Sequence, residues 1–478
     1  MKQQSTALVI FGITGNLAQH KLLPAIYHLV KSNNIPDKFV IVGVFRRPPI
    51  IDELLLEMKV QLERDNCDID EDAIRRLGEM IRPIQMDSTK PEDFERLKSL
   101  LNDLNAEFFT AFNHLFYLAI PPDIFRNVIS CLNKSGLNSA CEANDQVSRI
   151  LVEKPFGSDL QSAKQLIEDM AHYFNEDQIY RIDHYLAKET AQNILAFRFN
   201  NPLIEGIWSR EFIDHIQITA AETISIEGRS AFYEGMGALR DIVQSHLLQI
   251  MALVMMENPG TSNSEAIHKE KLELLKNIKP IPANHIEEMA VRGQYEAYRE
   301  EVQNLLSNTE TYAALKLEVS NFRWGGVPVL VRTGKCLTKK ATEITVVFKD
   351  RTRRSVPANV LTIRIQPNEG ISVQLLAKQP GFNDELKPVH MEFGYTSSFR
   401  SDQPDAYQRV LVDAIRGDQS LFASSEEVLA CWELLQPIID AWSSSKDQPE
   451  VYSAGSWGPS VAAKLAESYG SEWVEIAK

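Results

Sequence analysis

Between positions 181 and 189 the chain reads Arg181-Ile182-Asp183-His184-Tyr185-Leu186-Ala187-Lys188-Glu189. A carboxylate, an imidazole, a phenol and an amine thus fall within six residues, directly after a segment, 178–182, that alternates like a strand. From 187 onward the composition is helix-forming, so the polar run lies at a strand-to-helix junction, where side chains converge on the crevice of an open sheet. His184 and Lys188 suit an anionic group there, and Asp183 suits holding another imidazole in one tautomer. The competing reading is a capped helix start with surface charges.

Other stretches carry chemistry of the same kind. Phe11-Gly12-Ile13-Thr14-Gly15-Asn16-Leu17 ends an apolar run and opens a helical one, which turns backbone N–H groups and a helix dipole toward a pyrophosphate. Two glycines stand where a dinucleotide fingerprint has three, so an ordinary tight turn is the alternative. Arg46-Arg47 follows the second apolar run, where an acidic residue would meet the ribose of NAD; arginines there favour the 2′-phosphate of NADP, or else are a solvated surface pair. Glu153-Lys154-Pro155-Phe156-Gly157 puts a lysine at the carboxyl end of another such run, for a ligand or for a salt bridge. In Asp241-Ile242-Val243-Gln244-Ser245-His246, five α-helical steps of ~100° set the acid and the imidazole on adjoining sides of one helix. Arg332-Thr333-Gly334-Lys335-Cys336-Leu337-Thr338-Lys339-Lys340 gathers cations at a strand end, as a phosphate or sugar clamp or as a solvated loop.

The elements that must position these residues follow two grammars. Up to about 190, short β-rich runs (7–11, 39–45, 82–86, 114–120, 149–152, 178–182) alternate with amphipathic ones (17–30, 52–64, 91–104, 124–132, 160–174), which predicts a parallel, doubly wound Rossmann-type sheet over 1–190. Beyond it, runs at 214–221, 312–319, 327–332, 343–348, 361–366 and 372–376 succeed one another with few helices between, so 191–478 is expected to be an α+β domain with a mainly antiparallel sheet. A long apolar helix is expected over 235–256 and another over 265–277. The fold class is therefore α/β followed by α+β.

Composition bounds the rest. At 478 residues the chain exceeds the ~250–300 at which a single core stops growing. The formal charge of −15 argues against a broad nucleic-acid or anionic-membrane surface, so an anionic substrate needs a local basic pocket. Five scattered cysteines without Cys-x-x-Cys spacing suit reduced thiols and no metal site, hence a cytoplasmic location, and no export or anchoring signal is legible.

Taken in order, Gly12-x-x-Gly15-x-Leu17-Ala18, Glu153-Lys154-Pro155-Phe156-Gly157, the 181–189 run, Gln244-x-His246-Leu247-Leu248-Gln249 and Arg332-x-Gly334-Lys335 resemble the glucose-6-phosphate dehydrogenase family. The similarity continues through Gln366-Pro367-Asn368-Glu369 to Ser453-Ala454-Gly455-Ser456-Trp457-Gly458-Pro459. It implies oxidation of glucose 6-phosphate at C1 by NADP, with His246 as general base and Asp183 as the partner of its imidazolium. It further implies a phosphate pocket of His184, Tyr185 and Lys188, and sugar contacts from Lys154, Glu222, Asp241, Lys335, Lys340 and Gln366. Cofactor contacts would come from Gly12, Thr14, Gly15, Asn16, Leu17, Arg46, Asp87 and Lys154, and the assembly would be a homodimer or homotetramer built on the large antiparallel sheet. The chain departs from the family pattern at Asn16, usually Asp, at Ala187, usually Gly, and in a shortened 295–309 segment. A related sugar oxidoreductase would lack His184 and Lys188, and a silent nucleotide-binding regulator would typically have lost His246 or Asp183; all four are present.

Overall fold

Apolar runs too short for helices and rich in Val, Ile and Phe form the six strands of the first sheet: β1 (Thr6–Phe11), β2 (Phe39–Phe45), β3 (Ile81–Gln85), β4 (Asn113–Leu118), β5 (Ser148–Val152) and β6 (Ile179–Arg181). The computed structural model describes residues 4–46, 51–139, 146–350, 356–399, 404–468 and 470–475. Every pair in this sheet is parallel, in the order β3-β2-β1-β4-β5-β6. Burial of β1, β2 and β4 along their whole length explains why these strands read as continuous apolar runs. The order reverses between β1 and β4, and their carboxyl ends therefore part to leave a crevice.

The chain divides into two compact units, the first spanning Met1–Gly157, Gln161–Ala187 and Pro404–Ser425. Its helices lie close to the expected ones, with two refinements. Pro24 has no N–H to give to position 20, and the turn before it widens into a π-helix, Ala18–Leu22, ahead of the α-helix Leu23–Lys31. The helix Glu71–Met80 is added, its cap Asp70 accepting from the N–H groups of Asp72 and Ala73. Far along the chain, the helix Ala406–Arg416 supplies Val410, Leu411 and Ala414 to the core that also holds Leu8, Leu115 and Tyr180.

The second unit is built on nine strands: β7 (Ile213–Ala221), β8 (Ala290–Tyr295), β9 (Tyr312–Glu318), β10 (Pro328–Gly334), β11 (Ala341–Phe348), β12 (Val360–Gln366), β13 (Gly370–Lys378), β14 (Leu386–Gly394) and β15 (Glu450–Tyr452). Their order is β14-β13-β12-β11-β7-β10-β9-β8-β15, antiparallel except where β10 meets β7 and β15 meets β8. Strands β8, β14 and β15 go beyond the expected set: Gly293 interrupts the first, the second is an exposed edge strand with Pro388, and the third has three residues.

The single helix expected over 235–256 is not one helix. Ser230–Ala238 ends at Gly237, whose φ of +69° and ψ of 173° suit glycine almost alone, and a nine-residue π-helix, Leu239–Leu247, runs into the α-helix Leu248–Met255. The carbonyls at its far end are all satisfied by side chains. Arg198 donates to Leu253 O at 3.2 Å and Met256 O at 2.9 Å, Trp208 Nε1 to Val254 O at 2.8 Å and Trp324 Nε1 to Met255 O at 2.7 Å.

Candidate active site

The crevice between β1 and β4 is a cleft of about 560 Å³ bordered by Gly12, Thr14, Gly15, Arg46, Ser88 and Ile120, among others. Gly12 has φ +85°, and a Cβ there would sit 2.5 Å from Ala119 O, so only bare backbone fits where a ligand must come close. Arg46 stands at the end of β2, and Asp87 one residue before Ser88. The carboxyl of Asp87 is held below its ordinary value by hydrogen bonds from Thr89 and by the charge of Arg46. A phosphate-seeking cation beside a glycine-lined turn that opens a helical segment suits the dinucleotide expected from the sequence. Asn16 is exposed on the first helical turn, and Leu17 packs against the core instead of lining the cleft. Arg47 lies outside the described residues.

At the far side of the same sheet, β5 and β6 end in the two sequence motifs. Glu153 accepts from Tyr117 Oη, and its other oxygen lies 3.1 Å from His184 Nε2. Tyr407 completes this group, its hydroxyl 3.2 Å from the same His184 nitrogen and its ring tilted over the imidazole at 4.7 Å. Burial, with the charge of Glu153 adding to it, pushes the phenols of Tyr117 and Tyr407 well above their ordinary range, so both remain hydrogen-bond donors. Asp183 is 2% exposed and takes the N–H of Tyr185 on Oδ1 at 2.9 Å. Ala187 is buried in the core of this unit, its N–H 3.3 Å from Asp183 O, so its methyl group is accommodated. Lys154 follows Glu153, half-buried, in the loop.

The second unit gathers four of the remaining residues at one end of its interior strands. Because β7 and β10 are parallel with Ala221 opposite Gly334, Glu222 and Lys335 leave them side by side, and their charges meet at 2.5 Å. Lys335 also lies 5.3 Å from the ring of Tyr233. β11 runs the other way, which brings exposed Lys340 to the same end of the sheet, and Gln366 closes β12 there with its amide on Thr342 Oγ1 at 3.2 Å. Lys188 is the N-cap of the helix Glu189–Phe199, a position where a cation opposes the dipole. Glu369 compensates: it lies 3.8 Å from Lys188 Nζ and accepts from Thr190 Oγ1 at 3.2 Å.

His246 and Asp241 both belong to the π-helix, and His246 is 4% exposed. In the i→i+5 pattern, residues five apart stack one above the other, which corrects the adjoining-sides geometry expected of an α-helix. The 295–309 segment is pinned on Glu234, whose carboxylate accepts from Tyr298 Oη at 2.7 Å, Asn304 Nδ2 at 2.8 Å and Ser307 Oγ at 2.9 Å. Sequence reasoning missed Tyr117, Glu153, Tyr233, Glu369 and Tyr407 as site components. Glu153 and Glu369 lay inside quoted motifs, whereas Tyr407 is brought in by a helix more than 200 positions away.

Residues 9–193 match the family model "Glucose-6-phosphate dehydrogenase, NAD binding domain", and residues 195–474 match its C-terminal domain. The glucose-6-phosphate 1-dehydrogenase of Chlamydia muridarum is 41% identical over 98% of this chain and 96% of its own, and that of Bacillus subtilis 37% over 99% of each. A solved glucose-6-phosphate dehydrogenase in complex with its substrate glucose 6-phosphate has a TM-score of 0.91 at 31% identity, covering 100% of this chain and 99% of that one. The enzyme from Mycobacterium avium has a TM-score of 0.85 at 32% identity, covering 99% and 100%.

Proposed function

The chain belongs to the glucose-6-phosphate dehydrogenase family, and we propose which of its residues carry out that family's reaction. It oxidises glucose 6-phosphate at C1 to 6-phospho-D-glucono-1,5-lactone, the first step of the oxidative pentose phosphate pathway. NADP, once bound, accepts the hydride. The imidazole of His246 takes the proton from the C1 hydroxyl, which pushes electron density toward C1 as the hydride departs. Asp183 is assigned the role of stabilising the imidazolium. What most supports His246 is its setting, a buried imidazole on a π-helix, a geometry found frequently at functional sites.

The other assignments follow from charge and donor type. Lys188, His184 and Tyr185 take the 6-phosphate. Glu369 orients Lys188 from 3.8 Å, beyond hydrogen-bonding length, so it does not use up the ammonium donors. Glu222, Lys335, Asp241, Lys340 and Gln366, with Lys154, offer the acceptors and donors that sugar hydroxyls need. Gly12, Thr14 and Gly15 form the pyrophosphate turn, and Asn16 and Leu17 offer it only the backbone of the helical turn that follows; Arg46 and Asp87 flank the adenosine end, and Lys154 reaches cofactor and substrate alike. His246→Asn should lower kcat roughly 10²- to 10⁴-fold while glucose 6-phosphate still binds. Near-normal turnover in that variant would remove His246 from the chemistry.

The working assembly is a homodimer or homotetramer in the cytoplasm. Support comes from β14, which leaves Val389 and Met391 42% and 64% exposed on an edge strand. Light scattering should return a multiple of the 54.1 kDa chain mass, and Val389→Lys with Met391→Lys should shift it toward monomer. A monomeric wild-type chain would overturn the oligomer.

A further inference from the structure

The break at Gly237 leaves the first N–H groups of the π-helix without partners in the preceding helix. One residue supplies them. Glu310, two residues before the start of β9, accepts Ala238 N–H on its backbone oxygen at 2.9 Å and Leu239 N–H on Oε1 at 3.0 Å. The Glu310 side chain occupies the space that a Cβ on Gly237 would fill, so glycine and carboxylate are matched. Glu310 is 5% exposed, and burial pushes its carboxyl above the ordinary value against the pull of the Leu239 N–H, Arg240 and Arg292. A buried carboxylate is costly, and the N–H that this one accepts belongs to Leu239, two residues before Asp241 in the segment that also holds His246. The opposite end of the same helical run is fixed by Arg198, Trp208 and Trp324.

We propose that Glu310 is a positioning residue for the reaction: by seating the N-terminus of Leu239–Leu247 it sets the π-helical register that presents Asp241 and His246 to the sugar. This rests on the assignment of His246 as the base. Glu310 touches neither substrate nor cofactor in this role. It acts through the backbone, so an acceptor of the same length should replace it and an apolar side chain of similar size should not.

Glu310→Gln keeps an oxygen for Leu239 N–H, and its kcat should stay within about threefold of wild type. Glu310→Met removes the acceptor with little change in volume and should lower kcat about 10- to 100-fold, the scale of a small misplacement of reacting groups. KM for NADP should be unchanged in both, because the glycine-lined cleft belongs to the other unit. Amide exchange gives a second readout: Leu239 should exchange slowly in wild type and in Glu310→Gln, and the 239–247 amides should exchange faster in Glu310→Met while first-unit amides do not. Wild-type kcat in Glu310→Met, or a Gln variant as impaired as the Met variant, would overturn the proposal. Should the Met variant not fold, fast exchange of Leu239 in the wild type would overturn it alone. The exchange measurements do not depend on the chemical role of His246, so failure of His246→Asn to lose activity would remove the base without touching the seat of the helix.

Discussion

The residue most exposed to a simple test at its own scale is Arg46. It ends β2 beside the cleft lined by Gly12 and Gly15, where a ribose 2′-phosphate would need a cation. A charge-assisted contact of this kind contributes about 1.5–3 kcal/mol. Arg46→Ala should therefore raise KM for NADP roughly ten- to a hundredfold, at ~1.4 kcal/mol per decade, and leave KM for NAD nearly unchanged. Equal losses for both cofactors would make Arg46 a residue of the fold. Side chains with intrinsic chemistry were legible in the sequence because type and neighbourhood together name a role: Asp183, His184 and Lys188 crowd one junction, and Gly12 and Gly15 share one turn. Partners that act only by position were not. Nothing in the local sequence around Tyr407 marks it as the neighbour of His184, and nothing around Glu310 marks it as the cap of a helix that starts 71 positions earlier.

Among the elements, the parallel sheet was readable from alternation of strand and helix, because each βαβ unit is a local pattern. The π-helix was not. It starts at a glycine conformation and at a carboxylate from a distant loop, and periodicity reports neither. The same limit applies to the buried pair that joins the helices Ser264–Lys276 and Ser425–Ser444. Lys271 Nζ lies 2.8 Å from Glu427 Oε2, with both side chains fully buried, and His268 Nδ1 lies 2.7 Å from the other carboxylate oxygen. Burial opposes the charge of Glu427, but Lys271 and His268 overcome it and hold the carboxyl down to about 2. A group whose folded pKa is depressed stabilises the fold above its ordinary value, 4.5, and loses that contribution as pH falls toward about 2. Glu427→Gln should thus cost about 3–5 kcal/mol at neutral pH, since it strands the Lys271 ammonium. Its deficit in Tm relative to wild type should shrink as pH falls through that window. Parallel Tm curves for the two proteins would show that the pair contributes no acid-side stability.

For the whole molecule, the first unit holds the Gly12–Gly15 cleft and the 183–185 cluster, and the second holds the Glu222–Lys335 pair and the π-helix with His246. With a net charge of −15 the chain has no long-range field to gather an anionic sugar, so discrimination must come from short-range donors at the phosphate. The decisive measurement is the initial rate of NADPH formation at 340 nm by the purified chain, with glucose 6-phosphate and with unphosphorylated glucose as alternative substrates. Glucose 6-phosphate should support turnover at a kcat/KM far above that of glucose, whereas equal values for the two sugars, or no NADPH from either, would contradict the assignment.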